Sequence, residues 1–220
     1  MERKVTDLKV QKRNPNRVNV YLDGEFAFGL ARIVAAWLQI GQVINDEKIN
    51  SLQVQDAQEK AFQNALRFLS YRPRSETEVR QRLGKQGFGD AEIQIVIDRL
   101  KTGGLLGDTE FAKTWVDNRS TFRPRSRKLL KMELRQKGVA EEAIETALME
   151  TANEEDLAYQ AGLRRARRWA GLDWGEFRER LGAYLMRRGF SYGTTNPVTR
   201  RIWEELQLTS DHDYTGNEED

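Results

Sequence analysis

Eight basic residues crowd the nineteen positions from Arg119 to Lys137: Arg119, Arg123, Arg125, Arg127, Lys128, Lys131, Arg135 and Lys137, against the single acid Glu133. Arg127, Lys131 and Arg135 recur every four residues, so a helix carries them along one side, next to the side that holds Leu130 and Leu134. Nothing within the stretch neutralises that side. A stripe of one sign repels itself, and its chemistry is recognition of phosphate or of an acidic protein surface. The bland alternative is a charged side kept for solubility. A second cluster, Arg164, Arg165, Arg167 and Arg168, is the densest in the chain, and Arg72 and Arg74 form a third, smaller one.

Catalytic chemistry lacks its parts. The one histidine, His212, sits in an acidic run, Asp211-His212-Asp213, there is no cysteine, and no Gly-x-x-x-x-Gly-Lys-Ser/Thr loop occurs. Ser-His and Cys-His nucleophiles, thiolate zinc sites and disulfides are therefore excluded, and the carboxylates fall at ordinary helix-surface spacings. We expect a protein that is not an enzyme and has no cofactor or metal.

The elements that must position these cations repeat. Arg72-Pro73-Arg74-Ser75 recurs 51 residues later as Arg123-Pro124-Arg125-Ser126, and the same shift carries Val79 to Leu130, Leu83 to Leu134 and Gly87 to Gly138. A further 51 residues reach Leu181, Leu185, Gly189 and Phe190. Each unit reads helix, helix, glycine stop, helix, a period that marks stacked repeats, each burying its apolar side. Ser75-Glu76-Thr77-Glu78 is a capping box, and Gly138 is expected in the left-handed region. In the third unit Trp174-Gly175-Glu176-Phe177 replaces Arg-Pro-Arg-Ser, as suits a terminal repeat. Trp115, Trp169, Trp174 and Trp203 lie at helical spacing and read as packing, whereas Tyr71, Phe122 and Tyr192 flank turns and read as accessible.

Ahead of the repeats, partial alternation from Val5 to Leu30, a turn at Asn14-Pro15-Asn16 and a hairpin at Asp23-Gly24 predict two or three strands, covered by a helix over Ala31–Ile40. A long helix capped at Asn45 or Asp46 then runs to about Ser70. The fold class expected is mainly α: tandem three-helix repeats behind a small N-terminal sheet module. The boundaries are 1–45 for the sheet module, 46–107 for the linking helix and repeat one, 108–152 for repeat two, 153–208 for repeat three and 209–220 for an acidic disordered tail. The net charge of +2 divides into +7 for residues 1–208 and −5 for that tail. No signal-like leader and no long apolar run occur, which predicts a cytosolic monomer without a membrane anchor.

The runs Arg-Pro-Arg-Ser-Glu-x-Glu-Val-Arg-x-Arg-Leu, Ile-Asp-Arg-Leu-Lys-x-Gly-Gly-Leu-Leu-x-Asp-x-x-Phe-Ala-x-x-Trp-Val and Leu-Arg-Gln-Lys-Gly-Val resemble the RecX family of bacterial recombinase regulators, most strongly over residues 58–152. The resemblance implies an elongated, curved array of repeats lodged in the groove of a RecA–DNA filament. It further implies inhibition of filament extension, ATP hydrolysis and strand exchange in homologous recombination, with weak, sequence-independent DNA binding by the same basic surface. Reversing Arg127, Lys131 and Arg135 together is expected to abolish that inhibition. Two other readings stand beside it: a stand-alone DNA-binding protein, since helix pairs with a glycine turn also look like helix-turn-helix units, and a helical scaffold for another acidic protein.

Overall fold

The computed structural model describes residues 1–215, with side chains through residue 208. The backbone gathers into two compact units that meet in sequence between Leu106 and Gly107.

The first unit opens with strands β1 (Glu2–Gln11), β2 (Asn14–Leu22), β3 (Glu25–Ala31) and β4 (Val43–Asn45), one more strand than the alternation predicts. They form one antiparallel sheet in the order β3-β2-β1-β4. The β2–β3 hairpin turns on Asp23 and Gly24, with φ of 52° and 89°, the positive values that a two-residue turn of this hand requires. Asn14-Pro15 does not make the first turn, which falls on Lys12-Arg13. The proline instead opens β2, ahead of the first β3 partner at Arg17, where its missing N–H breaks no ladder bond.

The helix expected over Ala31–Ile40 is cut to a single turn, α1 (Arg32–Ala35). Backbone pairing decides this: Val5 N–H donates to Gln42 at 2.8 Å and Gly41 N–H to Val5 at 2.7 Å, so the chain must turn back to lay β4 beside β1. Val34 and Leu38 still enter the sheet core, but Trp37 is left 85% exposed.

Helix α2 (Asp46–Leu69) is capped by Asn45, whose side chain accepts from Lys48 N–H at 2.8 Å. It serves two cores. Leu52 packs with Val5, Val20, Leu22 and Leu30 under the sheet, while Ala61, Phe62 and Ala65 pack with repeat one. Repeat one adds α3 (Glu76–Gly84) and α4 (Asp90–Thr102). The capping box forms as expected, Ser75 accepting from Glu78 N–H at 3.2 Å and Glu78 from Ser75 N–H at 3.3 Å.

The second unit holds α5 (Asp108–Phe122), α6 (Arg127–Gln136) and α7 (Glu141–Met149), then α8 (Glu154–Ala166), a 3-10 turn at Arg167–Trp169, α9 (Trp174–Arg187) and α10 (Tyr192–Thr215). Helix α10 thus runs past 208 into the segment expected as a tail; the side chains of 209–215, His212 among them, and residues 216–220 lie outside the described residues. The 51-residue period is exact in the cores. Val79, Leu130 and Leu181, and likewise Leu83, Leu134 and Leu185, are completely buried, each set in its own repeat's cluster. The stop glycines Gly87, Gly138 and Gly189 have φ of 87°, 73° and 86°, a region that a Cβ disfavours.

Candidate functional site

The basic stripe is built by α6. Ser126 caps it, accepting from Leu129 N–H at 3.2 Å, and Leu130 and Leu134 bury its apolar side. With the leucines inward, Arg127, Lys131 and Arg135 come to lie along α7 rather than facing away from the protein. Lys131 pairs with both Glu141 and Glu145, Arg135 forks onto Glu141 with two bonds of 2.9 Å, and the Arg127 guanidinium donates to the Leu148 carbonyl. Arg135 first and Lys131 second hold the Glu141 carboxyl down at about 2, and the same contacts raise both bases.

The expectation that this side has no local neutralisation is therefore wrong. Its counter-charges arrive from α7, packed alongside, and not from within the nineteen residues. The triple reversal of Arg127, Lys131 and Arg135 would break structural pairs, so it does not isolate binding.

Glu133, the one acid of the stretch, is a hub. It is 13% exposed and accepts from Trp115 Nε1 and Arg119 Nε, each at 2.9 Å, and from Arg125. The Arg119 guanidinium also lies 4.4 Å from the Trp115 ring centre, and Lys137 Nζ lies 5.3 Å from it. Buried carboxylates with several charge-assisted bonds are structural anchors. Arg119, Arg125 and Lys137 thus belong first to the repeat's own architecture.

In repeat one, Arg72 grips Glu78 (2.9 and 3.4 Å), and Arg74 lies 4.0 Å from the Phe68 ring centre, half-buried. Burial lowers the Arg74 pKa, and its Nε has no hydrogen-bond partner. The remaining expected residues are freer. Arg123, Lys128, Arg167 and Arg168 are exposed, and their side chains make no hydrogen bond or ion pair among the described residues. Arg164 donates to the Thr121 carbonyl at 3.2 Å, and Arg165 lies 5.5 Å from the Trp169 ring centre. Within each unit the structure divides the expected cations into paired and unpaired groups.

Two arginines escaped the sequence reading. Arg187 and Arg188 stand 51 residues after Gln136 and Lys137, just before the third stop glycine, so the repeat period would have pointed to them. Among the described residues no group of acids, histidines or cysteines is arranged to hold a metal ion, and no helix is long and apolar enough to cross a membrane.

Comparison with known proteins covers nearly all of this architecture. Residues 3–45 match the regulatory protein RecX N-terminal domain, and residues 61–100, 108–148 and 153–198 match the first, second and third RecX three-helix domains. The regulatory protein RecX of Bacillus pumilus (strain SAFR-032) is 32% identical, the alignment spanning 91% of this chain and 78% of that one. That of Clostridium perfringens (strain 13 / Type A) is 30% identical over 90% of this chain and 96% of its own. A crystal structure of a regulatory protein RecX superposes with a TM-score of 0.70 at 25% identity, covering 92% of this chain and 99% of that one. RecX from Lactobacillus salivarius gives 0.57 at 25% identity, covering 70% and 99%. From the N-terminal sheet module through the third repeat, this chain belongs to the RecX family of regulatory proteins.

Proposed function

We propose that this protein is a non-enzymatic regulator of the RecA recombinase, acting in the cytoplasm on the RecA–DNA filament to restrain its extension, ATP hydrolysis and strand exchange. The observation that carries the reading is the match of four successive RecX domains over most of the chain. The unpaired cations Arg123, Lys128, Arg167 and Arg168 supply what such a regulator needs, because a filament on DNA presents phosphate and acidic protein surface together. Paired cations such as Lys131 hold the repeat's shape instead.

The test is a titration of DNA-dependent ATP hydrolysis by the cognate recombinase. Reversal of exposed, unpaired cations, Arg123→Glu with Lys128→Glu and Arg168→Glu, is expected to cost about tenfold in inhibitory potency with helix content unchanged. Wild-type potency in that variant would remove the cationic route. Stimulation of the recombinase by the wild-type protein would reverse the sign of the regulation proposed.

A further inference from the structure

The turn after α5 and the last turn of α9 enclose a recess of about 400 Å³ walled by Arg123, Arg125, Arg187, Arg188 and the ring of Tyr184. No carboxylate and no lysine lines it. Its walls are tied together by one backbone and one side-chain hydrogen bond. Ser126 N–H donates to the Arg188 carbonyl at 3.1 Å, and Arg188 Nη1 donates to the Pro124 carbonyl at 3.0 Å. The Arg188 guanidinium lies 4.8 Å from the Tyr184 ring centre. Gly189 sits so close to α6 that a Cβ there would come within 2.5 Å of both Leu129 Cγ and Ser126 Oγ. Repeats two and three therefore hold the recess in one shape before any ligand arrives.

The four arginines are not equivalent. Arg125 is occupied by Glu133, and Arg188 by the Pro124 carbonyl. Arg123 and Arg187 are exposed, and their guanidiniums make no hydrogen bond or ion pair among the described residues. Arg187 also borders a neighbouring depression that holds Glu176, Glu179 and Arg180, yet it pairs with neither carboxylate. Two guanidiniums without counter-ions thus share a recess with two that the protein already orients.

We propose that this recess seats a phosphate of a nucleic-acid backbone, held jointly by repeats two and three. A planar carboxylate satisfies one guanidinium fork, whereas the oxygens of a tetrahedral phosphate can be approached from several directions. Arginines converging from two separate elements fit the second case. The proposal takes from the filament reading only the identity of the molecule that carries the phosphate, and its test contains no recombinase.

The test is fluorescence anisotropy with a labelled single-stranded oligothymidylate. Arg123→Glu with Arg187→Glu is expected to weaken binding by about tenfold or more and to make the log–log salt dependence shallower by about 1 to 2. The control is Lys12→Glu with Arg13→Glu, an equal charge change in the exposed β1–β2 turn, expected to lose less than about threefold. Equal losses in the two pairs would mean net charge alone is being read, and the seat is gone. If the reversal pair unfolds by circular dichroism, Arg123→Lys with Arg187→Lys keeps the charge and loses the forks; about threefold weakening supports the seat and unchanged affinity overturns it. Calorimetry with inorganic phosphate and with polyglutamate supplies the last arm. Saturable binding of either that the recess variants abolish, with oligothymidylate affinity unchanged, would give the recess to a free anion or an acidic protein and overturn the proposal. Loss of DNA binding in the recess pair alongside a wild-type protein that does not inhibit the recombinase would leave the seat standing and remove the filament reading.

Discussion

In repeat one, Arg72 lies across the Glu78 carboxylate and Arg74 stacks on Phe68; in repeat two, the same Arg-Pro-Arg-Ser turn leaves Arg123 without a counter-ion and puts Arg125 on Glu133. The start of the following helix is alike in both copies. Ser75 and Ser126 are fully buried caps, and each turn starts a helix whose apolar pair, Val79 with Leu83 or Leu130 with Leu134, enters the core. What differs is one residue on each side of the exchange. Position 129, where repeat one has Glu78, is Leu, so Arg123 loses its carboxylate; position 133, where repeat one has Arg82, is Glu, so Arg125 gains one. A duplicated turn can thus keep its structural work while its free charge moves from one arginine to another.

The third stop glycine offers the largest way to break that comparison. Gly87 and Gly189 share a left-handed backbone, but a Cβ at Gly87 meets nothing within 4 Å, whereas at Gly189 it strikes Leu129 and Ser126. Gly189→Ala is expected to cost about 3 kcal/mol in denaturant unfolding, against about 1 kcal/mol for Gly87→Ala. Equal costs would show that the close approach does not hold repeats two and three together.

Next in size is the hub. Glu133→Gln keeps the shape and removes the charge that Arg119 and Arg125 share, and is expected to cost about 2 kcal/mol. The opposite exchange in repeat one, Arg82→Gln, alters an exposed side chain and is expected to change stability by less than about 0.5 kcal/mol. A hub variant as stable as the wild type would mean that the two arginines find other partners at no cost.

The smallest effect sharpens the contrast between α6 and α3. Lys131 faces Glu145 in repeat two, where repeat one sets Arg80 against the neutral Gln94 at 2.6 Å. Glu141 titrates near 2 in the folded protein against an ordinary value of 4.5, so its contribution is present above about pH 4.5 and is lost as pH falls towards 2. Thermal melting should therefore separate wild type from Glu141→Gln at about pH 5.5, with the gap shrinking as pH falls and closing by about pH 1.5. A gap that persists at the lower pH would assign it to packing and not to charge.

Much of the fold was legible because its determinants are local. Caps, stop glycines and buried leucines obey short-range rules that a 51-residue shift repeats, and the Asp23-Gly24 hairpin follows from backbone sterics alone. The failures came where a distant partner decided the outcome. The helix over Ala31–Ile40 yielded to β4 pairing beside β1, which exposed Trp37, and the first turn moved to Lys12-Arg13 because Pro15 was tolerated at the start of β2. The candidate site was legible as a set of cations and not as a surface. Arg127, Lys131 and Arg135 do share one helix side, but that side meets the acids of α7.

The amino-acid sequence by itself determined three helical triplets, the stop glycines within them, which apolar residues fill them, and that the body of the chain is cationic. All of these follow from neighbours a few residues apart and from composition. Tertiary structure alone decided which cations are free, because a charge is neutralised by whatever carboxylate packing brings within a few ångströms. Glu141 and Glu145 reach α6 across a helix pair, Glu133 reaches back to two arginines, and the ends of α5 and α9 bring Arg123 and Arg187 to one recess.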